Sequence, residues 1–87
     1  MNKETVEKRK ELRMHLLTNL YEHYFKNKGK GRYLRLEVEN IVADSEVELA
    51  YTYLLDKGFI KNQGSNNISA LIITTEGIDL AESHFAK

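Results

Sequence analysis

Histidine and cysteine, the side chains most often recruited for metal binding and nucleophilic or acid–base work, are scarce in this sequence of 87 residues. The histidines are His15, His23 and His84, and there is no cysteine. His15, Asn19 and His23 fall at four-residue steps, on one side of a helix if that stretch is helical. Two turns separate the histidines, too far for both to hold one ion, and no carboxylate pair completes a site. They read as surface histidines. Ser45, Ser65, Ser69 and Ser83 stand outside any nucleophile motif, and no pair of acids has a setting that would raise a pKa for general acid work. Thiolate zinc sites, disulfides and cysteine nucleophiles are excluded by composition. The expectation is a non-enzymatic protein without cofactor or metal.

The chemistry that does have a pattern is electrostatic. Net charge is zero, yet residues 1–35 carry ten Lys/Arg against four Asp/Glu, and residues 36–87 carry three against nine. The halves are therefore +6 and −6. Such asymmetry marks either a polyanion contact on the basic half or self-complementarity, within one chain or between two copies. The basic charge concentrates in KNKGKGRYLR, where Lys26, Lys28, Lys30, Arg32 and Arg35 occur with no acid. Gly29 and Gly31 allow the backbone to approach a partner closely. One reading is a phosphate contact from interleaved cations and backbone amides. The other is a solvated loop whose lysines cap the end of a helix. The glycine spacing fits neither phosphate-loop pattern, GxxxxGK[ST] or GxGxxG.

These residues depend on the elements that hold them. Residues 5–27 read as one helix, with Leu16, Leu17, Leu20, Tyr21, Tyr24 and Phe25 as an apolar stripe. Its start is nearly all charged, so residues 1–11 are expected to fray, project into solvent or pack on another chain. A short strand over 33–35 and a short helix over 36–43 follow, the latter with Val38, Ile41 and Val42 on one side. The stretch DSEVELAYTYLLDKGFI organises the rest. Ser45 and Glu48 form a capping-box pattern, with Asp44 as the other candidate cap. Val47, Ala50, Tyr51, Leu54 and Leu55 form the buried stripe, and Gly58 stops the helix. A strand over 59–62, a polar turn over 63–67 and a β-branched strand over 68–74 make a hairpin. Thr74 or Thr75 caps a last helix over 76–85, with Ile78, Ala81 and Phe85 inward. Gly77 in its first turn costs about 1 kcal/mol against alanine, which implies close packing there.

One domain accounts for residues 1–87, α+β and mostly helical, with 1–11 a charged helical extension. No stretch approaches the roughly 20 apolar residues of a membrane span. The basic N-terminus lacks the apolar run of a secretory signal, so the expected location is cytoplasmic.

The order helix, short strand, helix, helix, hairpin, helix resembles the winged-helix family. The residues that carry the resemblance are LLDKGFI at the end of the central helix and ITTEGIDLAE after the second hairpin strand. The likeness spans residues 12–85. It implies a long N-terminal helix, a short strand, a helix-turn-helix, a two-stranded wing and a C-terminal helix. It also implies binding of duplex DNA, with the central helix in the major groove and the wing on a neighbouring groove or the backbone. Carried onto this chain, the nucleic-acid-binding residues are Lys26, Lys28, Lys30, Arg32, Arg35, Thr52, Tyr53 and Lys61, in a regulator-like module.

The outward residues of the central helix are Glu46, Leu49, Thr52, Tyr53 and Asp56, with Glu48 at the margin. None is basic, whereas phosphate binding is driven by Lys and Arg. Leu49 and Tyr53 lie four apart among acids, which is the pattern of a protein-contact patch. The alternative expectation is therefore a protein-interaction module, a homodimer or adaptor, using Glu46, Leu49, Tyr53 and Asp56 without DNA.

Overall fold

A computed structural model describes residues 2–29, 32–33, 45–63 and 70–85. Helix α1 (Lys3–Lys26) starts two residues earlier than the apolar pattern predicts. The cause is Asn2, whose side-chain oxygen accepts from the Thr5 amide at 2.9 Å, satisfying one donor that the first turn leaves unpaired. The helix ends where Lys28 (φ 56°) and Gly29 (φ 85°) turn left-handed, and the Gly29 amide donates back to the Tyr24 carbonyl at 2.8 Å. Strand β1 (Arg32–Tyr33) follows. The expected helix over 36–43, together with Lys30, Gly31, Arg35, Asp44, the turn residues 64–67 and the strand residues 68–69, lies outside the described residues.

Helix α2 (Ser45–Asp56) closes as the sequence indicates. Gly58 adopts φ 79°, its amide donates to the Leu55 carbonyl at 3.1 Å, and the Phe59 amide reaches the Leu54 carbonyl at 3.0 Å. That pair of bonds is a Schellman stop, and it aims the chain directly into a strand. Strands β2 (Ile60–Asn62) and β3 (Ala70–Ile73) pair antiparallel, Ile60 with Ile73 and Asn62 with Leu71. β1 pairs with the other edge of β3, so the order is β1-β3-β2.

Helix α3 (Thr75–Phe85) is capped by Thr74, whose hydroxyl oxygen accepts from the Gly77 amide at 3.2 Å. The same hydroxyl donates to the Gly58 carbonyl, and the Thr74 amide donates to the Phe59 carbonyl. One threonine thus joins the start of α3 to the end of α2. Gly77 is buried against this junction, and a β-carbon there would overlap the Phe59 carbonyl oxygen and lie 2.7 Å from Ile73 Cγ1. The close packing expected of Gly77 is against the hairpin.

Leu16, Leu17 and Leu20 of α1, Ala50, Tyr51 and Leu54 of α2, Ile60, Leu71 and Ile73 of the sheet, and Ala81 of α3 form the core. Val47, Leu55 and Ile78 border it. Two expected members do not join. Phe25 is 54% exposed and Phe85 60% exposed. Phe25 directly follows Tyr24, which packs against the core, and so points about 100° to the side of it; Phe85 lies one turn past Ala81, the last core residue of its helix. Phe25 packs edgewise on Tyr24 and beside Tyr21 instead, at centroid distances of 5.1 and 4.8 Å. Among the described residues no helix is long and apolar enough to cross a membrane.

Candidate functional site

The outward face of α2 is the part of the surface where sequence and structure concentrate unusual side chains. The buried stripe of Ala50, Tyr51 and Leu54 sets the rotation of the helix. Glu46, Leu49, Thr52, Tyr53 and Asp56 are consequently exposed, as expected, and Glu48 is intermediate. Leu49 is 62% exposed, a large value for an apolar residue in the middle of a helix. The Thr52 hydroxyl donates to the Glu48 carbonyl one turn back, at 2.9 Å, so its donor is engaged within the helix.

The N-terminal half of α1 lies along this face. Arg9 meets Glu46 through two hydrogen bonds, Nε to Oε2 at 3.0 Å and a terminal nitrogen to Oε1 at 2.9 Å. Charge-assisted bonds of this forked geometry orient both partners. The extension expected over residues 1–11 is therefore not wholly a projection or a surface for another chain: from Arg9 onward it packs on the α2 of its own chain. One turn further, the Arg13 guanidinium stacks over the Tyr53 ring at 4.0 Å from the centroid. Its Nε donates to the Arg9 carbonyl at 3.3 Å. Lys57 Nζ stands 5.8 Å from the same ring. Both distances are within cation–π range. Arg9, Leu12, Arg13, Glu46, Leu49 and Tyr53 line a shallow groove between the two helices.

The α2 face is thus not the uniformly negative surface that its own sequence suggests. Arg9 and Arg13 were not among the expected site residues. The one signal in the sequence is their position, four apart and flanking Leu12 at the edge of the apolar stripe. Their partners are set only by how α1 and α2 cross.

Hydrogen bonding by Arg9, with its charge adding, lowers the Glu46 pKa from the ordinary 4.5 and raises that of Arg9. A lowered carboxylate pKa contributes stability above the unfolded value, lost as pH falls through the folded one. Arg9→Gln is therefore expected to lower the thermal midpoint slightly at neutral pH. The difference should vanish below the carboxylate range, measured by circular dichroism melts across pH. Both side chains are partly exposed, so the effect stays small.

Of the expected phosphate-binding residues, Lys26, Lys28 and Lys61 do not line the groove at this face. Lys26 and Lys28 are exposed at the far end of α1. Lys26 stands 17 positions beyond Arg9, roughly 25 Å along the axis at 1.5 Å per residue. The backbone of Arg32 lies in β1, opposite Leu71. Lys61 is exposed in β2, pointing away from the core side marked by Ile60. Lys30 and Arg35 lie outside the described residues.

The histidines sit in ordinary surroundings. His15 Nε2 is 3.5 Å from the Asn19 amide nitrogen, His23 Nδ1 is 3.3 Å from that of Asn27, and His84 packs edgewise on Phe85. No cluster of three or more His, Cys, Asp or Glu placed to hold a metal occurs among the described residues. Compared with known proteins, the chain matches no family description, no curated protein and no solved structure.

Proposed function

We propose that the chain is a small non-enzymatic interaction module that pairs with a second copy of itself across the exposed face of α2. The observation that carries this reading is Leu49. It is 62% exposed and framed by the Arg9–Glu46 pair on one side and the Arg13–Tyr53 stack on the other. An apolar centre with charges already engaged inside the chain suits a protein partner, where the core of a contact is depleted in unpaired charge. It suits phosphate poorly, because Arg9 is committed to a carboxylate and cannot neutralise an anion without giving that up. The face carries cations on its α1 side (Arg9, Arg13) and acids on its α2 side (Glu46, Asp56), so a two-fold arrangement can set the α1 side of each copy against the α2 side of the other, which favours a second copy as the partner. The succession of elements also keeps the winged-helix reading as the proposed architecture.

A second reading is a DNA-binding module. It is favoured by Lys26 and Lys28, both exposed, beside the left-handed turn at Lys28 and Gly29. Under it, Lys30, Arg32, Arg35 and Lys61 contribute to phosphate contact, with Thr52 and Tyr53 toward the groove.

Light scattering and fluorescence anisotropy with random-sequence duplex, at low and moderate salt, separate the two. The dimer reading expects twice the monomer mass of 10.1 kDa, a monomer for Leu49→Asp that keeps the wild-type circular dichroism spectrum, and no duplex binding at low salt. A monomeric wild type with duplex binding that weakens steeply with salt, and weakens again in Lys26→Gln/Lys28→Gln, would replace it with the DNA reading.

A further inference from the structure

The Arg13–Tyr53 stack divides two depressions. On the side away from Leu49, a cleft of about 350 Å³ opens between α1, the end of α2 and α3. That is the lower part of the roughly 300–1,000 Å³ range of small-molecule sites. Its floor rests on Leu17 and Leu54, which are core residues. Met14, Phe59 and Leu80, each partly buried, form the walls with Tyr53. The charged residues that line it are Lys10 and Arg13, both cations.

The charge around this cleft is sorted. Lys8 and Arg9, the neighbours of Lys10 on the N-terminal side, are each paired, with Glu4 at 3.4 Å and Glu46 at 2.9 Å. Neither Lys10 nor Arg13 has a carboxylate within ion-pair distance among the described residues. The other acids of this half of α1, Glu7 and Glu11, border a different surface together with Lys3 and Lys8. Two cations with no carboxylate partner among the described residues therefore stand at the opening of an apolar cleft, and that combination selects its ligand. A neutral hydrocarbon would leave the cations unused. A cation would be repelled. A small polar anion would leave the apolar walls wet.

We propose that this cleft binds a free medium-chain aliphatic carboxylate. The acyl chain lies between Met14, Phe59 and Leu80, and the carboxylate meets Lys10 and the outer N–H groups of Arg13. The guanidinium keeps its face on Tyr53 while its edge donates, since stacking and in-plane hydrogen bonding use different parts of the group. Each added methylene should tighten binding about threefold to fourfold until the cleft is filled. The cleft shares the Arg13–Tyr53 wall with the Leu49 groove, but Leu49 itself does not line it.

The test is titration of the full chain with hexanoate, octanoate and decanoate below micelle formation, followed by amide chemical shifts and calorimetry. Octylamine and octanol are the controls. Saturable binding that strengthens with chain length is expected, with shifts at Met14, Tyr53, Phe59 and Leu80 and preference for the carboxylate over both controls. Lys10→Gln/Arg13→Gln should weaken it about tenfold, the scale of a lost charge-assisted bond. Leu80→Trp, which fills the cleft, should abolish it. Equal binding of octylamine, shifts confined to other surfaces, no saturable binding, or full affinity in the double glutamine variant would overturn the proposal. The surface double variant keeps the test decisive even if Leu80→Trp does not fold.

Discussion

Gly77→Ala is expected to destabilise the protein by about 2 kcal/mol and lower its melting midpoint by roughly 8–16 °C, a conversion typical of domains this small. Two effects oppose each other. Alanine is the better helix former by about 1 kcal/mol, and Gly77 lies in the first turn of α3. Against this, the added methyl meets the Phe59 carbonyl oxygen and Ile73 Cγ1, and overpacking a tight site costs typically 1–3 kcal/mol, sometimes more. The clash wins here because its principal partner is backbone. The Phe59 carbonyl is held in place by the Thr74 amide at 3.0 Å, and the Phe59 amide by the Leu54 carbonyl. Neither can yield by changing rotamer. Relief must come from moving α3 away from the hairpin, which also strains the Thr74 cap. Denaturant unfolding followed by circular dichroism reads this directly. A variant as stable as the wild type would show that α3 does not approach the hairpin so closely.

Leu17→Ala is expected to lose more, about 3 kcal/mol within the 2–5 kcal/mol span of buried leucine truncations. Leu17 is fully buried at the point where α1 meets the rest of the core. A chain of 87 residues has roughly 4–13 kcal/mol of stability in total at 0.05–0.15 kcal/mol per residue. The loss is thus a quarter or more of everything available. Collapse around the cavity is limited, because α2, α3 and the sheet all pack on the same side of α1 and are held to one another by the Gly58–Thr74 junction. Leu49→Asp should behave differently. Leucine at 62% exposure contributes little to the folded monomer, and surface changes of that kind stay within about 0.5 kcal/mol. Urea unfolding at a protein concentration where the wild type is monomeric should show a large fall in midpoint for the first variant and almost none for the second. At higher concentration the wild type alone should gain stability from association.

The face of α2 shows how charge read from a sequence differs from charge on a surface. Glu46, Asp56 and Glu48 make the helix acidic, and that argued against an anionic partner. Arg9 cancels Glu46 from 37 positions away, and Arg13 and Lys57 bracket Tyr53. On the proposed reading, commitment rather than sign opposes phosphate at this face. Arg9 is bonded to Glu46 and Arg13 is stacked on Tyr53, while Lys26 and Lys28 stand exposed far along α1. The same accounting left Lys10 and Arg13 as the cations beside the apolar cleft.

Much of the architecture was legible from short stretches. The start and rotation of α2, its stop at Gly58, the strand that follows and the threonine cap of α3 are all set by residues within one or two turns of each other. Capping, helical periodicity and left-handed glycine are local physics, so the sequence alone determined them. It also pointed to close packing at Gly77, against the hairpin or the first helix, and the structure selects the hairpin. The earlier start of α1 was missed because Asn2 precedes the apolar pattern, though a cap is local too. Which helix faces meet was decided only by the tertiary structure. Phe25 and Phe85 sit at the margins of their apolar stripes and lie outside the core: Tyr24 takes the inward direction next to Phe25, and Phe85 falls beyond the length over which α3 touches its neighbours, which periodicity does not give. Arg9 and Arg13 found Glu46 and Tyr53 for the same reason. The organising stretch from Asp44 to Ile60 could state its own outward side chains, but the charge that side presents depends on which turns of α1 cross it, and a crossing is a property of packing between distant segments.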